Sequence, residues 1–243
     1  MLWALIIILG IIAGTLGGVV GFGSSVIMLP ALVAMFGPKE AVPIMALAAI
    51  LANVSRVGVW WREVDWRLTA VYCATAVPAA ALGARILVSL NARFLEAALG
   101  AFLIIMIPAR RWFTARGWTI GLGGMAVVGA CIGFLTGLVA TTGPINTPFF
   151  LAYGLVKGAY IATEAAGSVA VAVTKAIVFR NFGALPVETM GRGLAVGATL
   201  MLGSWFAKHI VLRFDASQFR AIMEAMMLIS GVLLLWGALA AAP

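Results

Sequence analysis

The chain has 243 residues, of which 64% are hydrophobic and 10% are charged, and its mean hydropathy is +1.13. This composition lies far outside that of soluble domains and predicts a polytopic membrane protein, with the lipid bilayer as its surroundings. The 16 Lys and Arg outnumber the 8 Asp and Glu, but they cluster in short gaps between apolar runs, as loops at a membrane surface do. Nucleic acid is therefore not expected as a partner.

The first apolar run is too long for one membrane helix. Residues 2–38 contain no charge, and a single helix of that length would measure roughly 55 Å against a hydrocarbon core of about 30 Å. Gly17, Gly18, Gly21 and Gly23 lie in its middle, and each weakens a helix by about 1 kcal/mol relative to alanine. We expect a helix that breaks and resumes. Because irregular backbone at membrane depth must be buried in protein or line a wet cavity, the break is a candidate site.

Three further spans complete the first half of the chain, at about residues 41–59, 68–88 and 92–109. The loop between the first two, WWREVDWR at residues 60–67, combines tryptophan and arginine in the manner of an interfacial anchor. The most basic linker follows at residues 110–118. It forms a natural boundary between two halves.

The second half repeats this plan. It begins with another charge-free run, whose middle, residues 133–148, reads GFLTGLVATTGPINTP, and continues with spans at about residues 159–179, 191–207 and 219–240. Matching residues lie about 119 positions apart: Gly14 and Gly133, Gly18 and Gly137, Lys39 and Lys157, Arg62 and Arg180, and the pairs Leu82-Gly83 and Leu202-Gly203. These matches indicate an internal duplication.

The predicted fold is an all-α polytopic membrane protein with about eight transmembrane helices in two homologous halves, each with a Gly-rich broken or re-entrant segment. The halves are residues 1–109 and 119–243, joined by the linker 110–118. Parallel and inverted repeats both fit the sequence. Paired interrupted segments in corresponding halves are the usual sequence sign of a transporter's binding site.

Among the ionisable residues of the predicted spans, Arg56, Glu164 and Lys175 are the candidates for a site. Such groups are costly in a bilayer and usually face the interior of the bundle. Lys175 occupies the place of Arg56 in the other half to within one residue, and such a pair of cations suits an anionic substrate. Each is also close enough to the end of its span to reach the headgroups. Both interpretations stay open at this point. Glu164 is the candidate for proton coupling.

The two breaks supply the other candidate ligands. Where a half-helix begins, its free N–H groups and its dipole favour an anion. The predicted substrate-binding residues are Gly21, Phe22, Gly23, Ser24, Ser25, Thr141, Thr142, Gly143, Asn146 and Thr147, together with Arg56 and Lys175. The glycines at positions 14, 18, 133 and 137 are instead expected to permit close helix packing.

Neither catalysis nor cofactor binding is predicted. The sequence contains no HExxH, GxSxG or phosphate-loop pattern, and its acidic residues are scattered. We therefore expect no catalytic residues, no metal site and no cofactor.

Four features of the chain occur together: the Gly-rich first segment ending in Pro30, the loop EVDWRL at residues 63–68, the Leu82-Gly83-Ala84 triplet and the repeated layout. In these features the chain resembles the sulfite exporter TauE/SafE family of bacterial membrane permeases. The resemblance implies transport of small sulfur-containing anions, such as sulfite, thiosulfate or organosulfonates, across the bacterial inner membrane. The second Gly-rich segment departs from the family's run of glycines and reads TTGPINTP.

The sequence thus favours a transporter that holds a small anion at mid-membrane between two broken helices. Two alternatives remain: a non-transporting membrane scaffold subunit, and a proton-coupled carrier of another small solute, which would depend on Glu164 rather than on the two cations. The sequence is also compatible with a homodimer.

Overall fold

The computed structural model describes residues 2–20, 23–117, 119–139 and 142–210, with scattered positions between 225 and 239. Within the four continuous stretches the regular structure is helical, with one 3-10 turn at Trp61–Glu63 and no strand. The α-helices are α1 (Leu2–Val20), α2 (Ser24–Phe36), α3 (Pro38–Trp60), α4 (Trp66–Ser89), α5 (Ala92–Ala115), α6 (Leu122–Leu138), α7 (Gly143–Ala152), α8 (Lys157–Asn181) and α9 (Val187–Ile210).

Three of these segments are long and apolar enough to cross a membrane: Pro38–Glu63, Trp66–Ser89 and Gly158–Asn181. Shorter apolar helices cover Trp3–Gly18, Ser24–Phe36, Ala97–Ala109 and Leu122–Leu138. This all-helical, strongly apolar architecture agrees with the expected polytopic membrane protein. The predicted last span, residues 219–240, falls mostly outside the described residues.

Helix α5 is longer than predicted. It continues through Ala115 and so includes most of the basic linker. Residues 110–115 read RRWFTA, a stretch without glycine or proline in which arginine and alanine favour a helix. The helix ends just before Gly117, whose φ of +59° is a conformation that glycine adopts most easily.

Each Gly-rich segment contains a helix end followed by a new helix start. Helix α1 ends at Val20 and α2 begins at Ser24, after Gly23 with a φ of +119°. Helix α6 ends at Leu138, and α7 begins at Gly143 with a proline in its first turn, a position that proline favours. Gly21, Phe22 and Thr141 lie outside the described residues.

The helices of the two sequence halves interleave. Helix α1 packs on α9, and its counterpart by sequence, α6, packs on α4, the counterpart of α9. Helix α3 contacts α8 and α9, while α4 contacts α8. The first helix of each half therefore lies against a long helix of the other half.

Glycines permit the closest of these crossings. A Cβ atom added at Gly14 would lie 2.2 Å from the carbonyl oxygen of Leu200, and one added at Gly133 would lie 2.4 Å from that of Ala76. Gly18 and Gly137 likewise have a neighbouring helix within 3 Å of an added Cβ. The packing role predicted for these four glycines is confirmed.

Replacement of Gly133 by alanine is expected to destabilise the protein. The new methyl group would meet the backbone of α4, which cannot move aside as a flexible side chain can, and overpacking costs about 1–3 kcal/mol. Gly123→Ala is a matched control in the same helix, because its Cβ would have no atom within 4 Å. Thermal unfolding of the detergent-purified variants should show a lower melting temperature for Gly133→Ala alone; equal melting temperatures would contradict the close crossing.

Candidate functional site

A cavity lies where six of the described helices meet. Its volume is about 60 Å³. Since a cavity needs about 10–15 Å³ to hold one water, this one has room for roughly four to six atoms of that size. The residues around it are Gly23, Ser24, Ser25, Ala46, Ala49, Asn53, Arg56, Tyr72, Thr136, Thr142, Gly143, Asn146, Glu164, Ser168, Val171, Ala172 and Lys175. Its size suits a small oxyanion.

Two helix N-termini face this cavity. Gly23 and Ser24 belong to the start of α2, and Thr142 and Gly143 belong to the start of α7. The first N–H groups of a helix have no carbonyl partner within the helix, and the dipole places about half a positive charge at this end. The cavity is therefore favourable to an anion from two sides, before any charged side chain is considered.

Lys175 caps the C-terminal end of α6 by hydrogen bonds to its carbonyl groups. Its side chain is buried, with 2% of the residue exposed. Its Nζ donates hydrogen bonds to the carbonyl oxygens of Thr136, at 2.6 Å, and Val139, at 2.7 Å. These carbonyls belong to the last turn of the helix and its cap, where the helix supplies no partner and the dipole favours a cation. The alternative that Lys175 reaches the headgroups is wrong.

Arg56 forms a buried ion pair with Glu164. Arg56 Nη1 lies 3.6 Å from Glu164 Oε2, and the two side chains are 8% and 3% exposed. Arg56 Nη2 also donates to Asn53 Oδ1. The pair joins α3 to α8, and hence the two sequence halves. For Arg56, too, the headgroup alternative is wrong, because its guanidinium lies inside the bundle.

The two oxygens of the Glu164 carboxylate have different surroundings. Oε1 accepts hydrogen bonds from Ser168 Oγ, at 2.8 Å, and from Asn146 Nδ2, at 3.4 Å. The amide of Asn146 is oriented by Tyr72, whose hydroxyl donates to Asn146 Oδ1 at 3.3 Å. Oε2 accepts no hydrogen bond from any described residue. This oxygen faces Arg56 and is the one available for a further interaction.

The charged and polar groups around the cavity suit the binding of a small anion. With Arg56, Lys175 and Glu164 ionised, the formal charge around the cavity is +1, and the remaining polar groups are hydroxyls, amides and a phenol. The described part of the chain holds no group of three or more histidine, cysteine or acidic side chains placed to bind a metal ion. A small anion is the ligand that the charges and the helix ends favour.

Most of the predicted site residues surround this one cavity. Those that line it are Gly23, Ser24, Ser25, Arg56, Thr142, Gly143, Asn146, Glu164 and Lys175. Thr147 does not: its hydroxyl donates to the carbonyl oxygen of Gly143 at 2.9 Å and accepts from the Tyr160 hydroxyl at 2.7 Å. Gly21, Phe22 and Thr141 lie outside the described residues. That these residues bind a substrate stays a prediction.

Four polar residues that line the cavity were not predicted from the sequence. Asn53 lies three residues before Arg56, and Ser168 lies four residues after Glu164, so helical spacing places each beside an ionisable residue already identified. The spacing of Asn53 and Ser168 in the sequence could therefore have predicted both residues. Tyr72 and Thr136 reach the cavity only through the packing of α4 and α6, which no local pattern reports.

The family model of the sulfite exporter TauE/SafE matches residues 6–234 of the chain. The chain belongs to this family. The resemblance found in the sequence is thereby confirmed, and since the family consists of membrane transporters rather than enzymes, this protein is a multi-pass membrane protein of a transporter family. No curated protein and no solved structure matches the chain significantly.

Replacement of Lys175 by glutamine is expected to lower the stability of the protein by about 2 kcal/mol, because two carbonyls at the end of α6 lose a charged hydrogen-bond donor. Arg67→Gln is the control, since Arg67 is a cation of α4 with an exposed side chain. The measurement is the melting temperature in detergent. A Lys175→Gln variant that melts with the parent would show that the carbonyls do not depend on this lysine.

Proposed function

We propose that this protein transports a small sulfur-containing anion, such as sulfite, thiosulfate or an organosulfonate, across the bacterial inner membrane. The observation that carries the proposal is a cavity of oxyanion size at which the N-termini of α2 and α7 and two buried cations converge. Membership of the sulfite exporter family supports the class of substrate.

We place the bound anion near the middle of the membrane. Helices α2 and α7 have 13 and 10 residues, which correspond to roughly 20 and 15 Å, about half of the hydrocarbon thickness. If α1–α2 and α6–α7 each count as one broken span, the helix starts that face the cavity lie at mid-depth. The same count supports eight spans in all.

The packing supports two homologous halves, residues 1–109 and 119–243. The contact of α1 with α9 and that of α6 with α4 are equivalent under the sequence match, and α3 and α8 meet their own counterparts. The cavity lies at the α3–α8 contact, with Arg56 and Lys175 at corresponding positions. A site between repeats is the arrangement expected of a secondary transporter.

Energetics favour export. An inside-negative potential drives an anion outward by about 2.3 kcal/mol per charge per 100 mV, so that efflux needs no other energy source. Uptake of the same anion would require coupling to a cation. Glu164, buried beside the cavity, is the described carboxylate placed to take part in such coupling.

Flux of radiolabelled sulfite in proteoliposomes tests the transport site. Ser25→Ala, Thr142→Ala and Arg56→Gln each remove a polar group from the cavity wall, and each should lower sulfite flux at least about tenfold, the effect of about 1.4 kcal/mol of lost binding. Ser89→Ala is the matched control, since it removes an exposed hydroxyl at the end of α4. Thermal melting verifies that each variant is folded.

Full flux in all three cavity variants would place the anion path elsewhere. If the parent protein carries neither sulfite nor thiosulfate nor any sulfonate tested, the proposed function is wrong, and a non-transporting scaffold becomes the better interpretation.

The potential dependence of flux tests whether net negative charge moves. At mildly alkaline pH sulfite is doubly charged, so that it crosses with a net negative charge even if one proton accompanies it. An imposed potential of about 60 mV should then shift its equilibrium distribution at least about tenfold. The measurement uses potassium-loaded vesicles with valinomycin. A distribution unaffected by the potential would indicate electroneutral exchange instead.

A further inference from the structure

We propose that Glu164 competes with the transported anion for Arg56, so that the anion binds only when Glu164 takes up a proton. The inference rests on the proposed function and adds its ion coupling: one proton bound for each anion. It also selects among the sulfur anions, in favour of small dianions.

The competition follows from the position of the carboxylate. Glu164 Oε2 lies 3.6 Å from Arg56 Nη1, and both groups line the same small cavity. An anion that contacts the guanidinium in a space for only a few atoms must come within a few ångströms of Oε2. Two negative charges at that distance repel each other, and burial weakens the screening that water would provide. When it is ionised, the Glu164 carboxylate therefore makes the contact with Arg56 that a bound anion would make.

The hydrogen bonds identify the oxygen that takes the proton. Oε1 already accepts from Ser168 and Asn146, and the Asn146 amide is fixed in that direction because its own oxygen accepts from Tyr72. Oε2 accepts from no described residue. A proton from solvent on Oε2 thus leaves both hydrogen bonds intact. It also converts Oε2 from a repelling acceptor into an O–H donor, which can bind an oxygen of the incoming anion.

No other described group facing Glu164 is placed for this role. Helix α3 presents Arg56, α4 presents Tyr72, and α8 itself carries Lys175, whose Nζ is held by two carbonyls of α6. Helices α2, α6 and α7 present only glycine, serine, threonine and asparagine to the cavity.

Three ionisable groups of the neighbouring segments have different surroundings. Tyr160, one turn before Glu164, is hydrogen-bonded to Thr147. The Asp65 carboxylate caps α4 through the Leu68 N–H, while the Asp65 backbone N–H donates to Thr163. Glu63 lies beside Gly158, at the start of α8 and six residues before Glu164. Glu164 is therefore the group at which a proton changes the charge of the cavity wall.

The charge count favours a dianion. With Glu164 ionised the formal charge around the cavity is +1, and a proton on Glu164 raises it to +2. A small doubly charged oxyanion, such as sulfite or thiosulfate, matches this value, whereas a singly charged alkanesulfonate leaves one positive charge uncompensated. We therefore expect thiosulfate and sulfite to bind more tightly than methanesulfonate, which has the same number of heavy atoms as thiosulfate but a single charge.

Proton uptake on binding tests the inference directly. Titration calorimetry of the purified protein with thiosulfate, in buffers that differ in ionisation enthalpy, counts the protons bound with the anion. We expect about one proton per thiosulfate, and an affinity that falls about tenfold per pH unit once Glu164 is ionised in the unliganded protein. Glu164→Gln should bind thiosulfate with no proton uptake and with no pH dependence. For sulfite, the difference between the parent and this variant removes the anion's own titration.

Glutamine keeps the Oε1 acceptor for Ser168 and Asn146, so that the variant retains these contacts. Ser89→Ala, which removes an exposed hydroxyl at the end of α4, is the control variant and should keep the count near one proton. Thiosulfate binding to the parent without proton uptake, or with an affinity independent of pH, overturns this inference and leaves the proposed function standing. Binding of a sulfonate without binding of thiosulfate or sulfite likewise overturns this inference alone. Absence of binding for thiosulfate, for sulfite and for every sulfonate tested overturns the proposed function together with it.

Discussion

The structure depends on one requirement, which is that the backbone groups at interrupted helix ends must find partners inside an apolar bundle. The C-terminal carbonyls of α6 find theirs in Lys175, a buried side chain from α8. The N-terminal turns of α2 and α7 instead face the cavity. Because the dipole of a helix favours a cation at its C-terminal end and an anion at its N-terminal end, the interruption between α6 and α7 places a lysine at one end and suits an anion at the other.

The two buried cations, Arg56 and Lys175, have different partners. Lys175 is bound to backbone, so its charge holds a helix end in place, whereas Arg56 faces a side-chain carboxylate whose charge can change. Positions 45 and 46, which correspond to Glu164 at offsets of 119 and 118 residues, are methionine and alanine. In the proposed pair of homologous halves, the second half thus has a carboxylate where the first half has an apolar residue. The near-symmetric packing of the helices supports a chemically asymmetric site, with a structural cation and a cation whose partner can be exchanged.

The sequence predicted those features that depend on local chemistry. The length of the first apolar run, the glycines within it and the repeated pattern led to the break regions and to the close helix crossings at Gly14 and Gly133. It could not decide whether Arg56 and Lys175 face lipid headgroups or protein, because both outcomes are compatible with a position near a helix end. Two features depend on how helices distant in sequence pack: the pairing of Arg56 with Glu164, and the hydrogen bond of Tyr72 to Asn146. No local sequence pattern contains that information.

Different residues determine the size and the charge that the cavity accepts. Its apolar wall consists of the small residues Ala46, Ala49, Val171 and Ala172 on α3 and α8, so the distance between these two helices limits the volume. Its polar wall comes from helix ends and from Arg56, Lys175 and Glu164. An anion with a longer organic group must therefore push α3 and α8 apart, and this would also separate Arg56 from Glu164. Under the proposed function, exclusion of large sulfonates would follow from the same α3–α8 contact that holds Arg56 beside Glu164.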